Sequence, residues 1–314
     1  MIPFLRSYGL PHGWSPQPGA LWRMARLNLP VAAADAVEWG SRRIDIAVLG
    51  LFFSPAVVGI YYVAQQVASL PSKLKTSFDP ILGPVISRNL ALGDKAAVAR
   101  QVRQVGFWVI AAQGGVALAL GIPGEAVLGV VGAGFVAGTA ALGFLLAAEV
   151  VAATGAVSEA ALIYTARHRN MMISLTMIAL EAALAAALIL GMRYLGWPLM
   201  WQATGPAIAL MLALAFAAVV KSRLLAHILG ARVSGWRWPL IWAAVAAMIV
   251  GQGVVRLPEW AELIVGIPAI LVAFGLVLWT RGFGPEDRLL FKMRKADIAE
   301  LSLPDPSTGG DAPR

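Results

Sequence analysis

The sequence predicts an all-α integral membrane protein with about eight transmembrane helices. Three observations lead there. Of its 314 residues, 59% are hydrophobic and only 13% are charged, about half the charged share of an ordinary soluble domain. Mean hydropathy is +0.74. Apolar stretches of roughly 20 residues, the length that crosses a bilayer, recur along the chain with short polar connections between them.

In order, the stretches are 30–52, 57–87, 105–122, 139–164, 171–192, 199–220, 238–255 and 261–280. The second is too long for a straight span and holds Pro71, Pro80 and Pro84. A kink, or a helix continuing beyond the membrane, is expected there. Residues 125–138 (EAVLGVVGAGFVAG) read as a short interfacial or re-entrant piece before the fourth span. FSPA at 53–56 and ARHRN at 166–170 read as tight turns, and GWRW at 235–238 as an interfacial anchor. Small residues in QGGVALALG and TGAVSEAAL permit close helix packing. The expected organisation is a cytoplasmic segment 1–29, a six-helix bundle 30–225, an extra helix pair 236–281 and a cytoplasmic tail 282–314. The tail ends in PDPSTGGDAPR, a composition that favours disorder.

Loop charge orients the bundle. With both termini on one side, that side collects 19 of the 25 basic residues, while the other receives only Arg193 and Arg256. Cytoplasmic loops are the basic ones, so both termini are expected in the cytoplasm of a multi-pass inner-membrane protein. The first 29 residues lack the compact apolar core and cleavage site of a signal peptide. The net charge of +8 then belongs to these loops, and no nucleic-acid partner is expected.

Much chemistry is excluded by absence. There is no cysteine, and His12, His168 and His227 are far apart. No GxxxxGK loop, HExxH, GxSxG or Asp-x-Asp occurs. No metal, cofactor or enzymatic activity is expected.

What remains is charge inside the first two spans. Asp35, Glu38, Arg42 and Asp45 fall at spacings of three, four and three, a stripe about 80° wide on a helix. Arg43 projects away from it. Each such charge costs roughly 2.5–3.5 kcal/mol at the centre of a membrane helix on insertion scales. Pairing of Glu38 with Arg42, and of Arg42 with Asp45, lowers that. Two readings follow: ion pairs that only lock helices together, or side chains facing a hydrated cavity. The second span favours the cavity. It carries Gln65, Gln66, Ser69, Ser72, Lys73, Thr76 and Asp79, with Lys75 set apart. Gln65, Ser69, Ser72, Thr76 and Asp79 share a face if the helix runs on through Pro71. Two adjacent spans with cationic interior positions suggest a path for an anionic solute. Gln113, Glu149, Glu159, Glu181 and Gln202 occur singly and read as interhelical hydrogen bonds or end residues.

The stretch RRIDIAVLGLFFSPAVVGIYYVAQQVASLPSKLKTSFDPILGPVISRNLALGD resembles polysaccharide (O-antigen type) flippases of the multidrug/oligosaccharidyl-lipid/polysaccharide exporter superfamily. The matching positions are Arg43, Asp45, Val58, Gly59, Tyr61, Ala64, Gln65, Phe78, Pro84, Gly93 and Asp94. The likeness covers about 30–165. It implies the second lobe of a two-lobe flippase plus a C-terminal helix pair. The implied activity is translocation of an undecaprenyl-pyrophosphate-linked oligosaccharide in polysaccharide biosynthesis and export.

On that reading Arg42, Arg43, Lys73, Lys75 and Gln65 contact the phosphate or line the lumen. Arginine suits phosphate by its planar fork. Asp35, Glu38, Asp45 and Asp79 hold the cations or respond to an ion gradient. The family's first lobe has no counterpart here, so a separate first lobe, a homodimer or polysaccharide-assembly proteins are the expected partners, with the membrane lipids. A truncated, non-autonomous fragment and an integral-membrane enzyme or accessory subunit are the alternatives.

Overall fold

The computed structural model describes residues 43–76 and 86–283, with positions 19, 22 and 24 singly. The chain divides into two units, 1–44 and 45–314. Almost all described residues belong to the second, and the architecture below is of that unit. Among the described residues all regular structure is helical.

Helix α1 (Ile44–Phe52) stops before Ser54, whose extended backbone precedes Pro55. A residue before proline is biased to that conformation, and proline itself suits a helix's first turn. Pro55 accordingly opens α2 (Pro55–Ala68), and the FSPA turn is confined to Phe53 and Ser54. Ser69 remains in the right-handed helical region and α3 (Leu70–Thr76) resumes at once. Pro71 has no N–H to give the preceding turn. Two hydroxyls bond carbonyls beside it, Ser69 Oγ to Gln66 O and Ser72 Oγ to Ser69 O, both at 2.7 Å. The second apolar stretch is thus two helices jointed at Ser69 as far as it is described.

After a helical stretch over 86–91, Gly93 turns the chain at φ +74°. Asp94 then caps α4 (Lys95–Gly121) by accepting the Ala97 N–H at 2.8 Å. This helix begins ten residues before its apolar stretch, because a capped, polar first part needs no bilayer. Residues 125–138 form α5 (Gly124–Val131) and a 3₁₀ turn (Ala133–Gly138), the short pieces expected there. Then come α6 (Thr139–Thr165), α7 (Arg167–Tyr194), α8 (Leu199–Leu229) and α9 (Trp238–Val254). A turn at Glu259–Ala261 and a π-helical stretch at Glu262–Gly266 lead into α10 (Ile267–Arg281). The ARHRN turn is corrected: only Ala166 is non-helical, and its polar successors already form the first turn of α7.

Five segments are long and apolar enough to cross a membrane: Lys95–Gly121, Ala133–Thr165, Arg167–Tyr194, Leu199–Leu229 and Glu259–Arg281. Helix α9 is apolar but shorter. The protein is therefore an all-α, multi-pass membrane protein with five such segments among its described residues.

Helix α6 lies at the centre, against α8, α4 and α2, while α7 packs on α8 and the α9–α10 pair packs on α4. The α6–α8 seam is closed by small residues. A Cβ on Gly155 would stand 2.9 Å from the Ala218 Cα. Glycine there lets two backbones approach where hydrocarbon offers no hydrophobic drive between helices. In α7 only 17% of the most apolar window is buried, against 50% in α8. Most of α7 thus faces outward, and its few inward residues are conspicuous.

Candidate functional site: a buried acidic network beside an exposed polar stripe

One inward residue of α7 is Glu181, in the middle of the helix and 1% exposed. Neither carboxylate oxygen has a hydrogen-bond partner. Asp45, in the first turn of α1, is also 1% exposed. Its Oδ2 accepts the Tyr61 hydroxyl at 2.8 Å and the Gln65 amide at 2.7 Å, while Oδ1 accepts the Ile46 N–H at 2.8 Å. The i,i+4 spacing of Tyr61 and Gln65 brings both to one side of α2. Asp45 lies near enough to act electrostatically on Glu181, and both acids act on Tyr61. Three helices, α1, α2 and α7, thus gather two carboxylates, a phenol and an amide. An ionised carboxylate without a partner is costly in such a place. Glu181 is suited to carry a proton, or to pair with a cation when it loses one.

The next face of α2 differs. Tyr62 is 39% exposed, Gln66 and Lys73 are exposed, and Ser69 is half-buried between them. Spacings of four, three and four put them in one stripe continuing from α2 into α3. At its Tyr62 end the stripe meets an apolar groove of about 440 Å³, walled by Ile46, Gly50 and Phe53 of α1 and the turn, and by Pro55, Val58 and Gly59 of α2.

The sequence candidates fare differently. Asp45 and Gln65 are brought together, with Gln65 as a donor to the acid. The polar face is Tyr62, Gln66, Ser69 and Lys73, rather than the set containing Gln65 and Ser72, because Gln65 turns to Asp45. Lys73 is exposed and Arg43, next to α1, is exposed. Lys75 lies in α3. Asp35, Glu38, Arg42 and Asp79 lie outside the described residues. Glu181, expected to make an interhelical hydrogen bond or to end a span, does neither: it stands in the middle of α7 with no hydrogen-bond partner. Its signal was position: a lone acid in the middle of ISLTMIALEAALAAALIL. Tyr61 is a matching position of the family resemblance and carries no other signal in the sequence.

Further polar groups have structural explanations. Lys221 Nζ of α8 meets Glu159 Oε1 of α6 at 2.8 Å and Ser174 Oγ of α7 at 3.0 Å, with side-chain exposures of 6% for Lys221 and 41% for Glu159. Ser158 and Ser222 hydroxyls lie 3.4 Å apart beside them. This staple fixes the register of α6, α7 and α8. Gln202 donates to Trp197 O at 2.7 Å. In the GWRW stretch the Arg237 guanidinium lies 4.4 Å from the Phe107 ring centroid, and Trp236 and Trp238 are exposed as an anchor requires. Among the described residues no three His, Asp or Glu side chains are grouped to hold a metal.

No family model matches the chain, and no curated protein or solved structure is significantly similar to it. Fold and site define its class: a multi-pass helical membrane protein with an acidic network buried in its bundle.

Proposed function

We propose that this chain is one lobe of a transporter that flips a lipid-linked oligosaccharide from the cytoplasmic to the outer leaflet, its pyrophosphate passing the polar face of α2 and α3. The observation that carries the reading is the stripe of Tyr62, Gln66 and Lys73, exposed on helices of a membrane bundle. Hydrocarbon solvates such groups poorly, so on helices packed beside membrane-crossing segments they favour a hydrated cavity or a partner. Lysine supplies charge to a phosphate, and in a low-dielectric cleft a charge-assisted hydrogen bond is strong. Arg43 and Lys75 are the further cationic candidates.

The acidic network supports the coupling step. Helix α2 presents Tyr61 and Gln65 to Asp45 and, on its adjoining face, Tyr62 and Gln66 outward. A change of charge at Asp45 or Glu181 shifts α2 against α1, and so changes the face that meets the substrate. Proton or sodium binding drives the cycle on this reading. Alternating access needs two bodies moving about a central site, so on this reading a second lobe completes the transporter.

The test is reconstitution in vesicles with a fluorescent polyprenyl-pyrophosphate oligosaccharide, read by an impermeant quencher. Protein-dependent loss of protection, accelerated by an ion gradient, is expected once the second lobe is present. No translocation under those conditions, or transfer of the sugar to an acceptor, rejects the reading.

A further inference from the structure

Resting on the transporter reading for the role of Glu181, we infer that Lys221 is a counter-ion shared by two acids: tied to Glu159 while Glu181 carries a proton, and drawn to Glu181 when that proton leaves. Glu181 is a buried acid whose two oxygens have no hydrogen-bond partner. Its neighbours Asp45 on α1 and Tyr61 on α2 offer it no positive charge. Lys221 is buried too, yet its present partner Glu159 is 41% exposed and keeps its water when the lysine leaves. A buried carboxylate needs a paired charge, and one that water reaches does without. The ammonium is therefore worth more to Glu181, once ionised, than to Glu159.

Two contacts fix the register of α7 on α8. A Cβ on Gly205 would lie 3.5 Å from the Ile189 side chain, and Lys221 Nζ lies 3.0 Å from Ser174 Oγ. Between these contacts α8 presents a row at steps of four, Gly205, Ala209, Ala213, Ala217 and Lys221, every member buried. Counting along both antiparallel helices from Gly205 and Ile189 sets Glu181 opposite Ala213. Lys221 is thus two turns from Glu181, roughly 11 Å along the helices. On that row of α8 only the methyl groups of Ala213 and Ala217 lie between the two levels. Side chains lean toward the N-terminus of their own helix. On antiparallel helices Lys221 and Glu181 therefore lean toward each other. An extended lysine reaches about one turn and an extended glutamate most of another.

The exchange alters what holds the helices together. Lys221 ties α8 to Glu159 of α6 at 2.8 Å and to Ser174 of α7, while α6 and α7 pack on α8 far more than on each other. When Lys221 turns to Glu181 both ties are released at once, and α6 and α7 separate at this level. The proton passes to water, no covalent bond changes, and the lysine stays an ammonium throughout. Rising pH ionises Glu181 and opens the latch; falling pH closes it. The acidic network of α1, α2 and α7 thereby governs a contact two turns away.

The experiment places a pair of spin labels on the full chain, which has no cysteine of its own, through Ile163→Cys in α6 and Leu175→Cys in α7, both exposed. Their separation is measured in lipid nanodiscs from acid to alkaline pH. With Glu181 and Lys221 in place, it is expected to widen as pH rises. Glu181→Gln is expected to hold the narrow separation at every pH, and Glu181→Leu takes its place should the amide fail to fold. Lys221→Met is expected to show no response to pH, with Lys221→Gln as its substitute. A response that persists in a folded variant at either position, or a separation in the parent that never changes, overturns the exchange. Translocation enters none of these measurements, which keeps the two readings apart. The expected label pattern without flipping in the completed two-lobe assay keeps the exchange and rejects the transporter. Flipping by a chain whose labels do not respond removes the exchange and leaves the transporter.

Discussion

Asp45 and Glu181 solve the same physical problem in different ways. Asp45 spreads its charge over the Tyr61 hydroxyl, the Gln65 amide and a backbone N–H, whereas Glu181 has no hydrogen-bond partner on either oxygen. Tyr61→Phe removes one hydrogen bond to a carboxylate. A loss of about 1.5–3 kcal/mol is expected, measured by chemical unfolding in detergent against wild type. An unchanged stability would mean that the phenol contributes nothing there. Glu181→Leu behaves oppositely. It replaces an uncompensated polar group by an apolar one of similar size, so the fold is retained and stability is unchanged or raised by up to about 3 kcal/mol. In vesicles the same variant is expected to lose the dependence of translocation on an ion gradient. A gradient response equal to that of wild type removes Glu181 from the coupling step.

At the scale of elements, the α6–α8 seam and the staple beside it set the bundle's register. Gly155→Val places carbon against the Ala218 backbone, which has no flexible end to move aside. Overpacking of this kind costs about 1–3 kcal/mol or more, and lower membrane levels of the variant are the expected readout. Gly59→Leu, with open space at its Cβ, should accumulate like wild type. The Lys221–Glu159 pair is asymmetric: the lysine is buried and the acid opens to the surface. Glu159→Gln leaves a buried ammonium without its counter-ion and is expected to cost about 3–5 kcal/mol. Lys221→Met leaves a carboxylate that water reaches and costs less. Unfolding of the two single variants and the double variant, taken as a cycle, checks the order. Equal losses would mean that burial of Lys221 does not govern the pair.

For the whole molecule, the central expectation is that the stripe on α2 and α3 meets water while the outer face of α7 meets lipid. The chain contains no cysteine, so single cysteines report without background. Gln66→Cys and Lys73→Cys in native membranes are expected to react with a water-soluble maleimide. Leu190→Cys, on the exposed apolar side of α7, is expected to stay unlabelled until the membrane is dissolved. Absence of labelling at both stripe positions would place them in hydrocarbon or in a dry interface and remove the ground for a hydrated path.

The sequence by itself determined the membrane class, the helical content and the punctuation. Apolar length, proline at the start of α2, glycine before Asp94 and the short pieces at 125–138 act locally, within a few residues of where they stand. It also marked Asp45, Gln65 and Lys73, because charge and amide within an apolar run are conspicuous wherever the run folds. Tertiary structure alone decided which of these meet. Gln65 and Gln66 are adjacent and chemically identical, yet one bonds the acid and the other faces outward, since neighbours on a helix point about 100° apart. Glu181 lies 136 positions from Asp45, and no local pattern joins them. Their proximity is set by the packing of α7 on α8 and of α2 on α6, an arrangement of whole helices fixed by small residues at the seams.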